Sequence, residues 1–221
     1  MADLFAELNG VRIVSGRITI PFVGLWHADV RLDTTTTLPD AANGCTLKIA
    51  GLTLVGTKFR AADYQGSLRS RIVGGAGGWS NPLPGKFYKH DPGVRVSLVL
   101  TDAARELGER VVIDTDRVLG PRWYRIGVTR GSRLIRQVVG DGWYVSPDGV
   151  TRIGLRTGKA ITSDYDVLNA DGALGHFIVA TDLPADFAPA RIFSTPTLGP
   201  RTISCVSHVI EKGSLRSEVQ T

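Results

Sequence analysis

Apolar and polar residues alternate through the first third of the chain. Ile18, Ile20 and Phe22 are separated by Thr19 and Pro21. After Gly24 the alternation resumes, with Trp26, Ala28, Val30 and Leu32 on one face and His27, Asp29 and Arg31 on the other. A period of two with one wet face predicts half-buried antiparallel strands. Pro21 has no N–H for a ladder and is expected at an edge, a bulge or a strand break. Residues 46–49 and 52–55 flank Ala50 and Gly51, the pattern of a tight hairpin, and residues 67–73 predict a further strand. Residues 33–44, rich in Thr, Asp and Asn, read as a loop. The sum is a meander of about five strands, enough for a small barrel or sandwich.

The period changes in the middle of the chain. Leu100, Ala103, Ala104 and Leu107 form one apolar stripe, and Gly108 supplies a helix stop. A short strand at 111–113 follows. The unit then repeats: Leu134, Ile135, Val138 and Val139 predict a second helix, with Ser132 as N-cap and Gly140 as its end. Strands at 143–145 and 150–153 come next, joined by a turn through Ser146, Pro147, Asp148 and Gly149. Helices this short are marginal alone and must pack on strands. Residues 86–93, with Pro92 and Gly93, read as a turn-rich lead into the first helix. The last third returns to strands at 162–171, 175–180, 201–210 and 214–219, the final two closing as a hairpin. The predicted class is α+β, mainly β: a small antiparallel β-barrel or sandwich plus a subdomain with two short helices packed on strands. Its expected parts are 1–78, 79–155 and 156–221, the last returning to the barrel or forming a small β-domain.

Composition mostly removes alternatives. The chain has 221 residues, 43% of them hydrophobic, and can bury a sizeable core. No run approaches the roughly 18 apolar residues of a membrane span. The start carries Asp3 and Glu7 and no basic region ahead of an apolar run, so no signal peptide is expected. The net charge of +5 is spread among acids, as on a solvated surface. Arg122, Arg125, Arg130, Arg133 and Arg136 do cluster around Trp123 and Tyr124, a candidate contact surface without a nucleic-acid motif. Cys45 and Cys205 are expected as buried free thiols, a long-range disulfide being the other arrangement open to them.

Glycines 74, 75, 77 and 78 could cradle a phosphate, but Pro82 and Pro84 follow where a helix should begin, and no Lys-Ser/Thr is present. A flexible junction anchored by Trp79 is expected instead. His27, His90, His176 and His208 show no metal-ligand spacing. His90 and Asp91 lack a nucleophile elbow. The carboxylate pairs Asp114/Asp116, Asp164/Asp166 and Asp182/Asp186 are explained by turns and solvation. No catalytic residue, metal or cofactor is expected.

Residues 94–114 and 130–154 resemble tail hub proteins of phages, the baseplate hub or late control protein D type. Relatives of that family include the N-terminal part of type VI secretion spikes. The resemblance is carried by the helix 98–108 with Val111, Val112 and Ile113, then by 134–139 with the hairpin 143–153. The ending, 203–219, is similar to the closing hairpin of hub and tail proteins. The resemblance implies a structural protein with no catalytic residues. It implies a homo-oligomeric ring, a trimer, in the virion at the tail tip or baseplate, made in the host cytoplasm. Its neighbours would be a tube or distal tail protein above and a spike or fibre below, with no membrane, and DNA only in transit through the lumen. Trp123, Tyr124, Arg122, Arg125, Trp26 and Trp79 are the candidate interface residues, Trp123 with Tyr124 first. Competing readings are another tail ring (distal tail or tube-terminating), a tail-associated glycan-active enzyme relying on Asp164 or Asp166, and a glycan-binding module stacking sugars on Trp79 or Trp143.

Overall fold

The computed structural model describes residues 6–32, 44–64, 67–195, 199–211 and 213–221. All of the Thr-rich loop except Gly44 lies outside the described residues. Six strands make the first part: β1 (Ala6–Leu8), β2 (Val11–Pro21), β3 (His27–Leu32), β4 (Cys45–Ile49), β5 (Leu52–Tyr64) and β6 (Ser67–Gly74). Their order is β1-β4-β5-β6-β3-β2, and β1 also pairs with β2, so the antiparallel sheet closes on itself as a barrel. The strands are not a simple meander, because β1 leaves β2 to join β4. Bulges at Ile13/Ser15 and Lys58/Arg60 bend the long strands around the closure. The predicted hairpin at 50–51 is present, with Ala50 and Gly51 both at positive φ, as a tight two-residue turn demands.

Alternation decides what fills the barrel. Ala28, Val30 and Leu32 are buried while Asp29 and Arg31 are exposed. Trp26 is 1% exposed and lies against Gly56 and Gly74, which face each other across β5 and β6. A Cβ on Gly74 would stand 2.5 Å from the Trp26 Nε1. Both glycines are therefore the floor under one large ring.

The middle of the chain folds as β7 (Pro82–Leu83), β8 (Lys86–Arg95), α1 (Val96–Leu107), β9 (Val111–Ile113), β10 (Val118–Arg125), β11 (Thr129–Arg130), α2 (Gly131–Val139), β12 (Trp143–Val145) and β13 (Thr151–Ile153). α1 buries Val99, Leu100, Ala103 and Ala104 and stops at Gly108, whose φ is 69°. The repeated helix-strand units converge on one small sheet, where β13 pairs antiparallel with β12 and parallel with β9. α2 begins one residue before Ser132, with Arg130 in the N-cap position and no side-chain cap. Tertiary contact fixes that start: the Gly131 N–H donates to the Asn81 carbonyl, and a Cβ on Gly131 would come within 2.7 Å of the Trp79 ring. Residues 86–93 are not a turn-rich lead but most of strand β8, antiparallel to β10. The part docks on the barrel through Gly24, which exchanges backbone hydrogen bonds with Trp143 and Val145.

The last third supplies β14 (Asp166–Asp171), β15 (His176–Ala180), β16 (Ile192–Phe193), β17 (Arg201–Thr202), β18 (Cys205–Glu211) and β19 (Ser214–Gln220). β18 pairs with residues 16–21 of β2, and the sheet runs on through β19 and β15 to β14. A second core of Phe177, Val179, Phe187, Phe193, Ile203, Val206 and Val219 lies under this extension. His208 sits on β18 between Val206 of that core and Ile210 of the main one. It is fully buried, its Nδ1 is 2.8 Å from the Ser217 Oγ, and its Nε2 has no partner among the described residues. Cys45 and Cys205 are both free thiols.

Candidate interaction surface

The β8–β10 ribbon sorts its residues by face. Tyr88 opposite Trp123, and Lys86 opposite Arg125, point towards α1. Phe87 opposite Tyr124, and Lys89 opposite Arg122, point away from it. This follows from the pleat, since directly paired residues share a face and the next pair takes the other.

The inner face is a charged clamp. Arg125 is fully buried, donating from Nη2 to Glu106 at 2.8 Å and from Nε to the Pro84 carbonyl at 2.7 Å. Lys86 reaches Asp102 at 2.6 Å and Glu106 at 3.2 Å, and the Tyr88 hydroxyl donates to Asp102 at 2.7 Å. Burial alone would raise the Asp102 carboxyl, but hydrogen bonds from Lys86, Tyr88 and Arg105 outweigh it and hold the group at about 2. The Trp123 ring packs on Tyr88 at 5.9 Å between centroids. The clamp fixes the ribbon on α1 and so presents its outer face as a stiff surface.

That outer face is apolar with a basic border. Phe87 and Tyr124 are each more than half exposed, and Ile126 and Val128, just past the end of β10, are exposed as well. Arg122 and Lys89 flank the two rings. Paired exposed aromatic rings beside arginine are a common contact chemistry. A second open feature is β14. All six of its residues are exposed, including Val167 and Leu168, and among the described residues only β15 pairs with it.

Of the candidate interface residues, Arg122 and Tyr124 are exposed and Trp123 is half-buried. Trp26, Trp79 and Arg125 belong to the interior and have no surface to offer. Trp26 fills the barrel, and Trp79 donates from Nε1 to the Thr151 hydroxyl at 2.7 Å. Trp143 is 4% exposed, so neither it nor Trp79 offers a sugar-stacking platform. The basic cluster divides too: Arg133 and Arg136 are exposed on α2, whereas Arg125 is spent on Glu106.

The glycine cluster does bind an anion, and the anion is internal. The Glu109 carboxylate accepts N–H groups from Ala76 at 3.1 Å and Trp79 at 3.3 Å, with Gly77 and Gly78 adding to the nest. Burial still pushes the Glu109 carboxyl above its ordinary value. The segment is thus a tied corner, not a flexible junction. Nothing local in the sequence links Glu109 to a turn thirty residues earlier. Replacing it with glutamine is expected to cost about 2 kcal/mol, because an amide N–H₂ would face the nest's donors. Urea unfolding of wild type and Glu109→Gln measures the loss.

Asp116 of the Asp114/Asp116 pair caps α1 from outside, accepting the Ser97 N–H at 3.0 Å and its hydroxyl at 2.8 Å. That anion at a helix N-terminus is structural chemistry. Among the described residues no group of three or more His, Cys, Asp and Glu could hold a metal. No helix among them is long and apolar enough to cross a membrane.

The architecture has counterparts among solved structures. The c3393 protein of E. coli, a component of the type VI secretion system with structural similarity to the T4 bacteriophage tail proteins gp27 and gp5, aligns with a TM-score of 0.68. The match covers 97% of this chain and 75% of that one at 10% identity. The 43 kDa tail protein of prophage MuSo2 from Shewanella oneidensis aligns at 0.61, over 98% and 96% of the two chains, at 9% identity. A tail protein from Neisseria meningitidis MC58 aligns at 0.57, over 98% and 95%, at 12% identity. The fold is that of phage and secretion-system tail proteins. No protein-family model and no curated protein sequence matches the chain. The tail-protein fold therefore persists here at identities where only the pattern of packing is shared.

Proposed function

We propose that the chain is a structural subunit of a phage tail, forming a baseplate hub ring between the tail tube and the spike or fibre below. The observation that carries this reading is the closed barrel that continues, strand by strand, into an extension ending on the open edge of β14. An open, exposed edge is an aggregation hazard on a free monomer and a pairing surface in a ring. The tail-protein fold supports the same reading. The outer face of the ribbon, with Phe87, Tyr124 and Arg122, supplies residue types that concentrate binding energy at interfaces.

Native mass by light scattering after size exclusion tests it. Three copies per particle are expected. Six copies would favour a distal-tail or tube-terminating ring. A single chain that also fails to join purified tail tubes would sink the proposal. The pair Phe87→Ala and Tyr124→Ala is expected to weaken assembly about tenfold or more. The same pair should shift monomer stability little, since both rings are exposed. Unchanged sedimentation of the double variant would remove the ribbon face from the interface.

A further inference from the structure

We propose that the cleft bounded by Tyr144, Arg156, Lys159, Pro189 and Arg191 is an oxyanion-binding site. Its ligand is a phosphate or the carboxylates of an acidic segment, taken up by two guanidinium groups and one ammonium.

Among the described residues, three cations line the cleft and no acidic residue does. None of the three forms an ion pair with another described residue. Other basic side chains of this chain do find carboxylates, as Arg17 finds Glu218 and Lys86 finds Asp102. Arg156 is held in place without a carboxylate from any other described residue. Its guanidinium lies 3.9 Å from the Tyr144 ring centroid, and Nη2 donates to the Pro21 carbonyl at 3.2 Å. Its Nε is buried with no partner among the described residues. Stacking and one carbonyl do not replace the hydration of a full charge. Burial accordingly lowers the group to about 10. A bound oxyanion would satisfy that charge, and the planar fork suits two oxygens at once.

The walls are built stiffly. The Ile192 N–H donates to the Lys159 carbonyl at 3.1 Å, and the Ile161 N–H to the Ile192 carbonyl at the same distance. Gly158 lies flush on the Ala190 backbone, where a Cβ would come within 1.6 Å of the carbonyl oxygen. Ala190 itself is buried at φ 75°, a left-handed conformation that a residue with a Cβ adopts only when its surroundings impose it. That strained residue directly precedes Arg191 and so fixes its backbone beside Arg156. A constrained loop that gathers unpaired like charges has the pre-organisation of a binding site.

Isothermal titration of the full chain at low salt tests this, with inorganic phosphate and a hexaglutamate peptide as separate probes. Saturable binding of at least one probe is expected. Tighter phosphate binding would identify a free-ion site, and tighter peptide binding would identify an acidic segment of a partner. Lys159→Gln combined with Arg191→Gln should weaken binding about tenfold or more while leaving the thermal melt unchanged. Arg133→Gln, on the exposed face of α2, should bind as wild type. The proposal fails if neither probe saturates, if the double variant binds as wild type, or if Arg133→Gln weakens binding equally.

Discussion

Trp26→Ala is expected to remove about 3–5 kcal/mol of folding stability, a loss set by the size of the buried ring and the cavity it would leave. The ring is buried inside the barrel and lies against Gly56 of β5 and Gly74 of β6. Neither glycine has a side chain that could swing into the space, so from that side the cavity would stay open. The converse substitution tests the same contact. Gly74→Ala puts a methyl group where the Trp26 indole already is, and overpacking of this kind costs about 1–3 kcal/mol. The three atoms nearest that methyl all belong to Trp26. In a Trp26→Ala background, Gly74→Ala should therefore cost almost nothing. A double-mutant cycle in urea reads the coupling directly. Equal costs in both backgrounds would show that Gly74 is constrained by something other than the ring.

Acidification from pH 6.5 to about 4 is expected to withdraw about 3 kcal/mol through His208 alone. Burial depresses its folded pKa from 6.5 to about 4. The folded state thus holds the imidazole neutral while the unfolded chain takes up a proton. The stabilisation is fully present above pH 6.5 and is lost as pH falls through the window down to about 4. Below that, both states are protonated and no further loss accrues. His208→Gln carries no titrating group there, so its stability should lose this component of the slope whatever its value at neutral pH. An unchanged slope in the variant would mean that water reaches the imidazole in the native state.

The outline of the fold was legible wherever burial followed a simple period. Ala28, Val30 and Leu32 predict the inner face of β3, and Trp26 just before it the same side, because each buried residue is flanked by a more exposed one. Leu100, Ala103 and Ala104 predict the buried stripe of α1, and Gly108 its end. What escaped was set by partners distant in sequence. β8 carries Lys86, Lys89, His90, Asp91 and Pro92, a composition that reads as a turn, and it is a strand because β10 and the clamp to α1 hold it. Closure of the barrel rests on β1, whose three residues carry no distinctive pattern. The glycine corner could be read only as a loop, since its occupant, Glu109, lies beyond a whole helix.

The candidate surface shows the same division. Arg122, Trp123 and Tyr124 stand out in sequence as aromatic residues among arginines. The pleat of β10 then sends Tyr124 outward and Arg125 inward, a distinction that composition does not contain. Phe87 completes the exposed face from a strand that was not predicted. The cleft around Arg156 was invisible for a like reason, because its cations come from two loops thirty residues apart that meet through the Lys159–Ile192 and Ile161–Ile192 backbone bonds.

The barrel wall and the extension share β2. Its residues 16–21 hold β18 along one edge while β3 occupies the other. A load applied at β14 reaches the barrel through consecutive hydrogen-bonded ladders, with no linker in the path to absorb it. Torque on the free edge would be delivered to the barrel as rotation, and the protein would work as a rigid lever with its fulcrum in β2.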